Sequence, residues 1–455
     1  MPTQSKPLLA LIVLLSLLLS VLSAKAQTHD QALIFENVRL VDIDSATVGS
    51  PQRLMVAGGA IVDSLDESGA RVVDAEGLFL IPGLAEMHAH VPNTQNVEQV
   101  QDVLNLFLAH GVTTIRGMLG EPGHLTLRAE LASGQRTGPR LITSGPSLNG
   151  NSVSSVEQAV RLVRNQSEAG YDFLKLHPGL WPETFDTLTR TADGLGMDYA
   201  GHVSLAVGLD RALASNQATI DHLDGYAQAL VPPDHPAANQ QPGFFGMAIA
   251  HALDSARIEA VAERTHVAGA WNVPTQTLIE NIAVNNVDEL MERPAMRWVP
   301  DGLRQQWSGQ ITQLRAQHSA DDLGRFVDMR RKLIAALHEA DAGLLLGADA
   351  PQIMNVPGDS THHELALLVA SGLAPAEALA TGTTKVAHFL DQPAHACLAP
   401  GCVADLVLLQ ANPLENIDHT RAIAGVMRAG RWFDRAALDA MLADIEQRAN
   451  PTGPG

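Results

Sequence analysis

Cysteine is nearly absent: the 455 residues hold two, Cys397 and Cys402, too few for a disulfide-framed scaffold. Basic residues are also scarce. Lys and Arg total 30 against 50 Asp and Glu, and a formal charge of −20 offers a polyanion no long-range attraction, which argues against a nucleic-acid partner. Long charged or polar tracts are missing, which excludes a disordered or fibrous chain. Past the first 26 residues no apolar run reads as a membrane span. What remains, at 46% apolar and 18% charged, is a globular chain too long for one core, so one large domain and a smaller one are expected.

The first 26 residues read as a leader. Lys6 precedes an apolar stretch from Leu8 to Leu22 broken only by serines, and Ala24-Lys25-Ala26 supplies the small residues that a signal peptidase accepts. The stretch falls short of the roughly 20 residues that span a bilayer. The pattern predicts cleavage after Ala26, export to the periplasm or beyond, and no membrane attachment afterwards.

Two rhythms divide the rest. Residues 27–81 and 396–435 carry short alternating strands separated by glycine turns, including Leu33-Ile34-Phe35 and Leu406-Val407-Leu408-Leu409, and read as one β-domain built from both ends. Residues 82–395 alternate apolar strands with amphipathic helices such as Val97–His110. The strands expected are Leu84–His88, Val112–Arg116, Arg140–Thr143, Phe173–Leu176, Tyr199–His202, Thr219–His222, Asn272–Thr275 and Leu344–Gly347. Their number and spacing predict a parallel (β/α)8 barrel, an α/β fold. Two stretches, 223–271 and 278–342, exceed one βα unit and read as lids over the barrel mouth; 436–455 reads as a C-terminal helix and tail.

A barrel of this kind places its chemistry at the carboxyl ends of its strands. There the sequence sets His88, His90, Lys175, His202 and His222, with Asp349 just past the last strand. His88 and His90, two apart on one strand, face the same side, so both imidazoles can meet one ion. Burying so many ionisable groups without partners would be costly, and nitrogen and oxygen ligands of this kind suit zinc first. Iron, manganese, cobalt and nickel accept the same donors.

Pro82-Gly83-Leu84-Ala85-Glu86-Met87-His88-Ala89-His90, Thr219-Ile220-Asp221-His222, Leu346-Gly347-Ala348-Asp349-Ala350 and Ala404-Asp405-Leu406-Val407-Leu408 resemble the amidohydrolase superfamily. Within it they are most similar to the branch of imidazolonepropionase-like enzymes and metal-dependent Xaa-Pro dipeptidases and carboxypeptidases. The resemblance runs from about residue 32 to 435. It implies a distorted (β/α)8 TIM barrel beside a small β-sandwich. It also implies two divalent ions, one held by His88, His90 and Asp349, the other by His202 and His222. Lys175 matches the position of a lysine carbamylated by carbon dioxide, which would bridge them. A water between the ions would then attack an amide-like bond, with Asp349 as its proton shuttle.

Weaker signals concern substrate. Tyr226 is placed to donate to a carbonyl or a carboxylate, or else packs its loop; Arg116, ending strand two, could grip a carboxylate or balance charge. His177 could line the mouth. Dipeptidase relatives tend to carry a histidine after strand three, where this chain offers Asn149 or Asn151. His362 and His363 read as helix-start residues beside a Thr361/Glu364 capping box rather than ligands. The Pro400-Gly401 turn can bring Cys397 and Cys402 together.

The expected activity is hydrolysis of a dipeptide or N-acyl amino acid, with cyclic amides or lactones as the alternative. A catalytically silent metal-containing binding protein is the competing class, and an intact Asp349 speaks against it. The partner is a small molecule or short peptide; a homo-oligomer is left open.

Overall fold

The computed structural model describes residues 32–283 and 286–450; the expected leader and the tail beyond Asn450 lie outside the described residues. The N-terminal strand Leu33–Asp42 organises the smaller domain. Its first half pairs with Gln52–Ala57 and Arg71–Asp74, its second half with Phe79–Pro82. Through Phe79–Pro82 the sheet continues into Leu406–Leu409, Ile423–Arg428 and Arg431–Asp434, so both ends of the chain share nine strands. The expected sandwich is thus one curled sheet hinged on a ten-residue strand, because that strand is long enough to serve both halves. Phe35, Leu54, Leu80, Leu406 and Met427 fill its fold, and Trp432 meets Phe35 edge-on at 5.2 Å.

The central domain carries two parallel sheets. Leu84–Ala89, Val112–Gly117 and Arg140–Thr143 form one; Leu174–Leu176, Tyr199–Gly201, Thr219–Asp221 and Trp271–Val273 form the other. Single bridges, Ser144 to Phe173 and Leu148 to Leu176, join them on one side. On the other side the eighth expected strand is present only as bridges, from Leu344 to Asn272 and from Ala350 to Ala89. A regular ladder is precluded there: Asp349 takes φ 65°, and a Cβ on Gly347 would lie 2.9 Å from the His88 nitrogen. The ring of strands is therefore closed but distorted.

Helix Val97–Ala109 buries Val100, Val103, Leu104, Phe107 and Leu108 as its periodicity predicts, while Val97, beside the Asn96 cap, stays exposed. The two expected lids shrink. Helices Ile258–Val267 and Ala320–Glu339 pack against each other as barrel wall. Of the two stretches, the segment before Ile258 reaches the catalytic end, where Phe245 meets the rings of His202 and His222. Helix Arg435–Ala449 packs on Val97–Ala109 and Asp434 caps it. Among the described residues no helix is long and apolar enough to cross a membrane.

Cys397 and Cys402 form a disulfide, and the loop it closes pairs with Ile61, whose N–H donates to the Cys402 carbonyl. Closing so short a loop is worth about 2 kcal/mol. Replacing both cysteines by serine is expected to lower the free energy of urea unfolding by that amount, with a matching fall in the midpoint, and reductant should shift the wild type to the same midpoint. Equal midpoints would mean that the loop holds without it.

Candidate metal centre

Strand Leu84–Ala89 is buried along its length and its register with Val112–Gly117 shifts between Glu86 and Ala89. Beside that irregularity the chain at Asp349 is laced to it: Asp349 N–H donates to the His88 carbonyl (3.0 Å) and His90 N–H to the Ala350 carbonyl (2.8 Å). The lacing brings Asp349 Oδ1 to 2.7 Å from His90 Nε2 and 3.5 Å from His88 Nε2. Glu86, fully buried, accepts from Ala348 N (2.6 Å) and Thr361 Oγ1 (2.7 Å), fastening the same two segments from below the ligands. Burial pushes its carboxyl up to about 8.

The second sheet delivers the rest. Lys175 is fully buried and its amine has no hydrogen-bond partner among the described residues; the Asp221 carboxylate lies 3.7 Å away. Gly201 makes room for it, since a Cβ there would fall 2.9 Å from Lys175 Cδ. The His202 and His222 rings stand 4.6 Å apart, and His222 and His88 4.4 Å. All six expected ligands thus meet at one end of the barrel. His88, His222 and Asp349 each offer an atom within 4.8 Å of the others, a trio that draws on both expected groups.

The chemistry of these donors fits cations. His202 Nδ1 bonds Asp224 (2.7 Å) and His222 Nδ1 bonds Thr275 Oγ1 (2.9 Å), while His88 Nδ1 faces Asp221 Oδ2 at 3.0 Å. Engaging one ring nitrogen in this way orients the other for an ion. Burial pushes His88 and His222 well below the usual imidazole range, with Lys175 adding to the effect at His88 and His88 at His222. Both rings are therefore neutral, the ligating form. At Asp349 burial acts upward, but His88, the bond to His90 and Lys175 outweigh it and keep the carboxylate ionised. His222, Thr275 and Asp349 take φ of 62°, 49° and 65°, left-handed values that cost of order 1–3 kcal/mol each and persist where the surroundings enforce them.

Residues 79–433, more than three quarters of the chain, match the Amidohydrolase family profile. The chain belongs to the amidohydrolase family. The sequence is 25% identical over 221 residues to an adenine deaminase of Nitratidesulfovibrio vulgaris (strain DP4), covering 45% of this chain and 35% of that protein. The match therefore spans about a third of this curated relative. Among solved structures, a bottromycin amidohydrolase superposes with a TM-score of 0.71 at 24% identity, covering 92% of this chain and 90% of that one. A Xaa-Pro dipeptidase with bound methionine gives 0.65 at 16%, covering 89% and 100%. At these identities the likeness is one of fold.

Several residues of this amidohydrolase go beyond the sequence reading. Asp221 accepts from Thr219 Oγ1 (2.7 Å) and lies 3.4 Å from the Arg116 guanidinium, joining His88, Lys175 and Arg116 around one buried carboxylate. A carboxylate inside an apolar strand was the available signal. Arg330, on the wall helix, donates to the carbonyls of His222 and Pro274 (2.7 Å each) and to Gln276 Oε1 (2.9 Å). Glu364 accepts from the N–H groups of Gln276 and Thr277 at 2.8 and 2.7 Å. Together they clamp the strained stretch on which Thr275 orients His222, and nothing in the sequence marks either.

The expected substrate contacts are placed differently. Tyr226 is buried with its hydroxyl donating to Asn272 Oδ1 (2.7 Å) beside Thr265 Oγ1 (3.0 Å), between strand and wall helix, so it packs rather than meeting substrate. Arg116 is buried and donates to the Met87 carbonyl (2.7 Å) and Thr219 Oγ1 (3.0 Å), which commits it to the barrel interior. The Asn149 side chain accepts from the N–H groups of Asn151 and Ser152 and shapes its own loop. His177 stacks on His202 at 4.8 Å. The Thr361/Glu364 box does not form, because Thr361 donates to Glu86 and Glu364 serves Gln276 and Thr277. His362 bonds Thr420 and the His110 carbonyl.

Asp224→Ala is expected to weaken the hold on one ion by about 10–100-fold, measured by competition with a chromogenic chelator, with the melting curve little changed. An unaltered affinity would remove Asp224 from this role. Arg330→Met strands buried carbonyl acceptors and is expected to cost about 3 kcal/mol in urea unfolding; a loss below 1 kcal/mol would show that water replaces it.

Proposed function

We propose that this amidohydrolase is an exported hydrolase that cleaves an amide-like carbon–nitrogen bond at a pair of divalent ions, zinc being favoured, with a dipeptide or N-acyl amino acid as substrate. The observation that supports it is the meeting of His88, His90, Lys175, His202, His222 and Asp349 at the carboxyl end of one barrel, where catalytic groups of this architecture act. The leader-like stretch Leu8–Leu22 and the disulfide between Cys397 and Cys402 support export.

When bound, two such ions supply a water acidified to near neutrality and a polarised carbonyl. The imidazoles of His88, His90, His202 and His222 would hold them, with Asp349 completing the set. Lys175 would join them as a carbamate: a buried neutral amine beside Gly201 with no hydrogen bond of its own among the described residues gains, on reacting with carbon dioxide and releasing a proton, two oxygens that share one negative charge. Asp349, ionised and central, takes the proton of the attacking water and delivers it to the departing nitrogen. Asp221, between Lys175, His88 and Arg116, holds the floor of the site.

Elemental analysis of the full chain is expected to give two ions, and a panel of dipeptides, N-acyl amino acids and cyclic amides should show turnover that chelator abolishes. One ion or none, with turnover unaffected by chelator, would overturn the proposal. Lys175→Ala should lower the content to one ion or fewer and kcat by about 100-fold or more; two ions at full rate would remove the bridging lysine.

A further inference from the structure

The mouth of the centre carries two phenyl rings that neither ion binding nor proton transfer uses. They belong to Phe244 and Phe245, at the start of the 3-10 segment Phe244–Ala252 that follows the sixth barrel strand. The Phe245 ring lies 4.8 Å from that of His222 and 6.0 Å from that of His202, within 8° of parallel to the latter. Phe244 meets it edge-on at 4.4 Å. Both are only partly buried, so an apolar surface stays open beside the histidines.

This placement is built into the fold. Phe245 takes φ 50° and Gly246 φ 103°, and a Cβ on Gly246 would come within 2.3 Å of the Ala227 Cβ. A phenylalanine in the left-handed region costs about 1–3 kcal/mol, and such outliers concentrate where ligands bind. The guanidinium of Arg116 is buried and faces Asp221, so it is not offered to a charged group at the phenyl pair. A charge placed there would lose hydration without a partner, whereas an apolar group would gain burial and ring contact.

We propose that Phe245, backed by Phe244, is the specificity-determining wall of the substrate site, selecting an amide whose group beside the scissile bond is aromatic or branched aliphatic over one that is charged. The inference rests on the metal-centre reading above and names the substrate class for it.

Hydroxamic acids, which chelate hydrolase ions and need no turnover, separate the two. Calorimetry on the zinc-loaded full chain would compare acetohydroxamic acid, phenylacetohydroxamic acid and the carboxymethyl analogue. Wild type is expected to bind the phenyl compound at least about tenfold tighter than the carboxymethyl one. Phe245→Ala should reduce that ratio to about twofold or less, with Phe245→Leu intermediate and acetohydroxamic acid bound equally by all three. Absence of the preference in wild type, or its survival in Phe245→Ala, overturns the inference while the metal centre stands. Failure of acetohydroxamic acid to bind the wild type overturns both. Should Phe245→Ala fold poorly, Phe245→Leu and Phe244→Ala carry the comparison.

Discussion

Two of the main-chain hydrogen bonds that close the barrel, Asp349 to His88 and His90 to Ala350, assemble half of its chemistry in the same act. Because they join backbone to backbone, the carboxylate reaches the two imidazoles by the path of the chain rather than by side-chain reach. The cost appears as an interrupted eighth strand and a left-handed aspartate, and Glu86 reinforces the join from within. A regular strand here would be better paired and would carry Asp349 elsewhere.

The other half of the centre depends on side chains arriving from the barrel wall. Arg330 reads the carbonyls of His222 and Pro274, Glu364 caps the turn that follows, and Thr275 holds the His222 ring between them. One half is thus secured by lacing and the other by a clamp. Each half holds a neutral imidazole, His88 in one and His222 in the other, beside the ionised carboxylate of Asp349, the combination that a cation requires.

Most of the barrel was readable because apolar strands recur at βα spacing, and the ligands because each polar residue closes a strand. Seven of the expected strands are present, with bounds that differ by at most two residues; the eighth dissolves into bridges because its hydrogen bonds are spent on positioning Asp349. At Tyr226 and Arg116 the contacts favour packing and charge balance, the readings left open beside substrate contact, and Asn149 serves its own loop, for a common reason. Proximity in sequence to a ligand says nothing about which neighbour satisfies a buried polar group, and here Asn272, Met87 and the loop's own amides do so. Arg330 could not be found at all, since two of its three partners are main-chain carbonyl oxygens and these have no residue type.

The curled sheet has a bearing on how the chain is made. Strands Leu33–Asp42 and Phe79–Pro82 await Leu406–Leu409, which is synthesised more than three hundred residues later. At ribosomal speeds that delay is on the order of tens of seconds. Throughout it an apolar ribbon ending in Pro82 has an unfilled edge, and the smaller domain cannot be completed before its last strand, Arg431–Asp434, has been made.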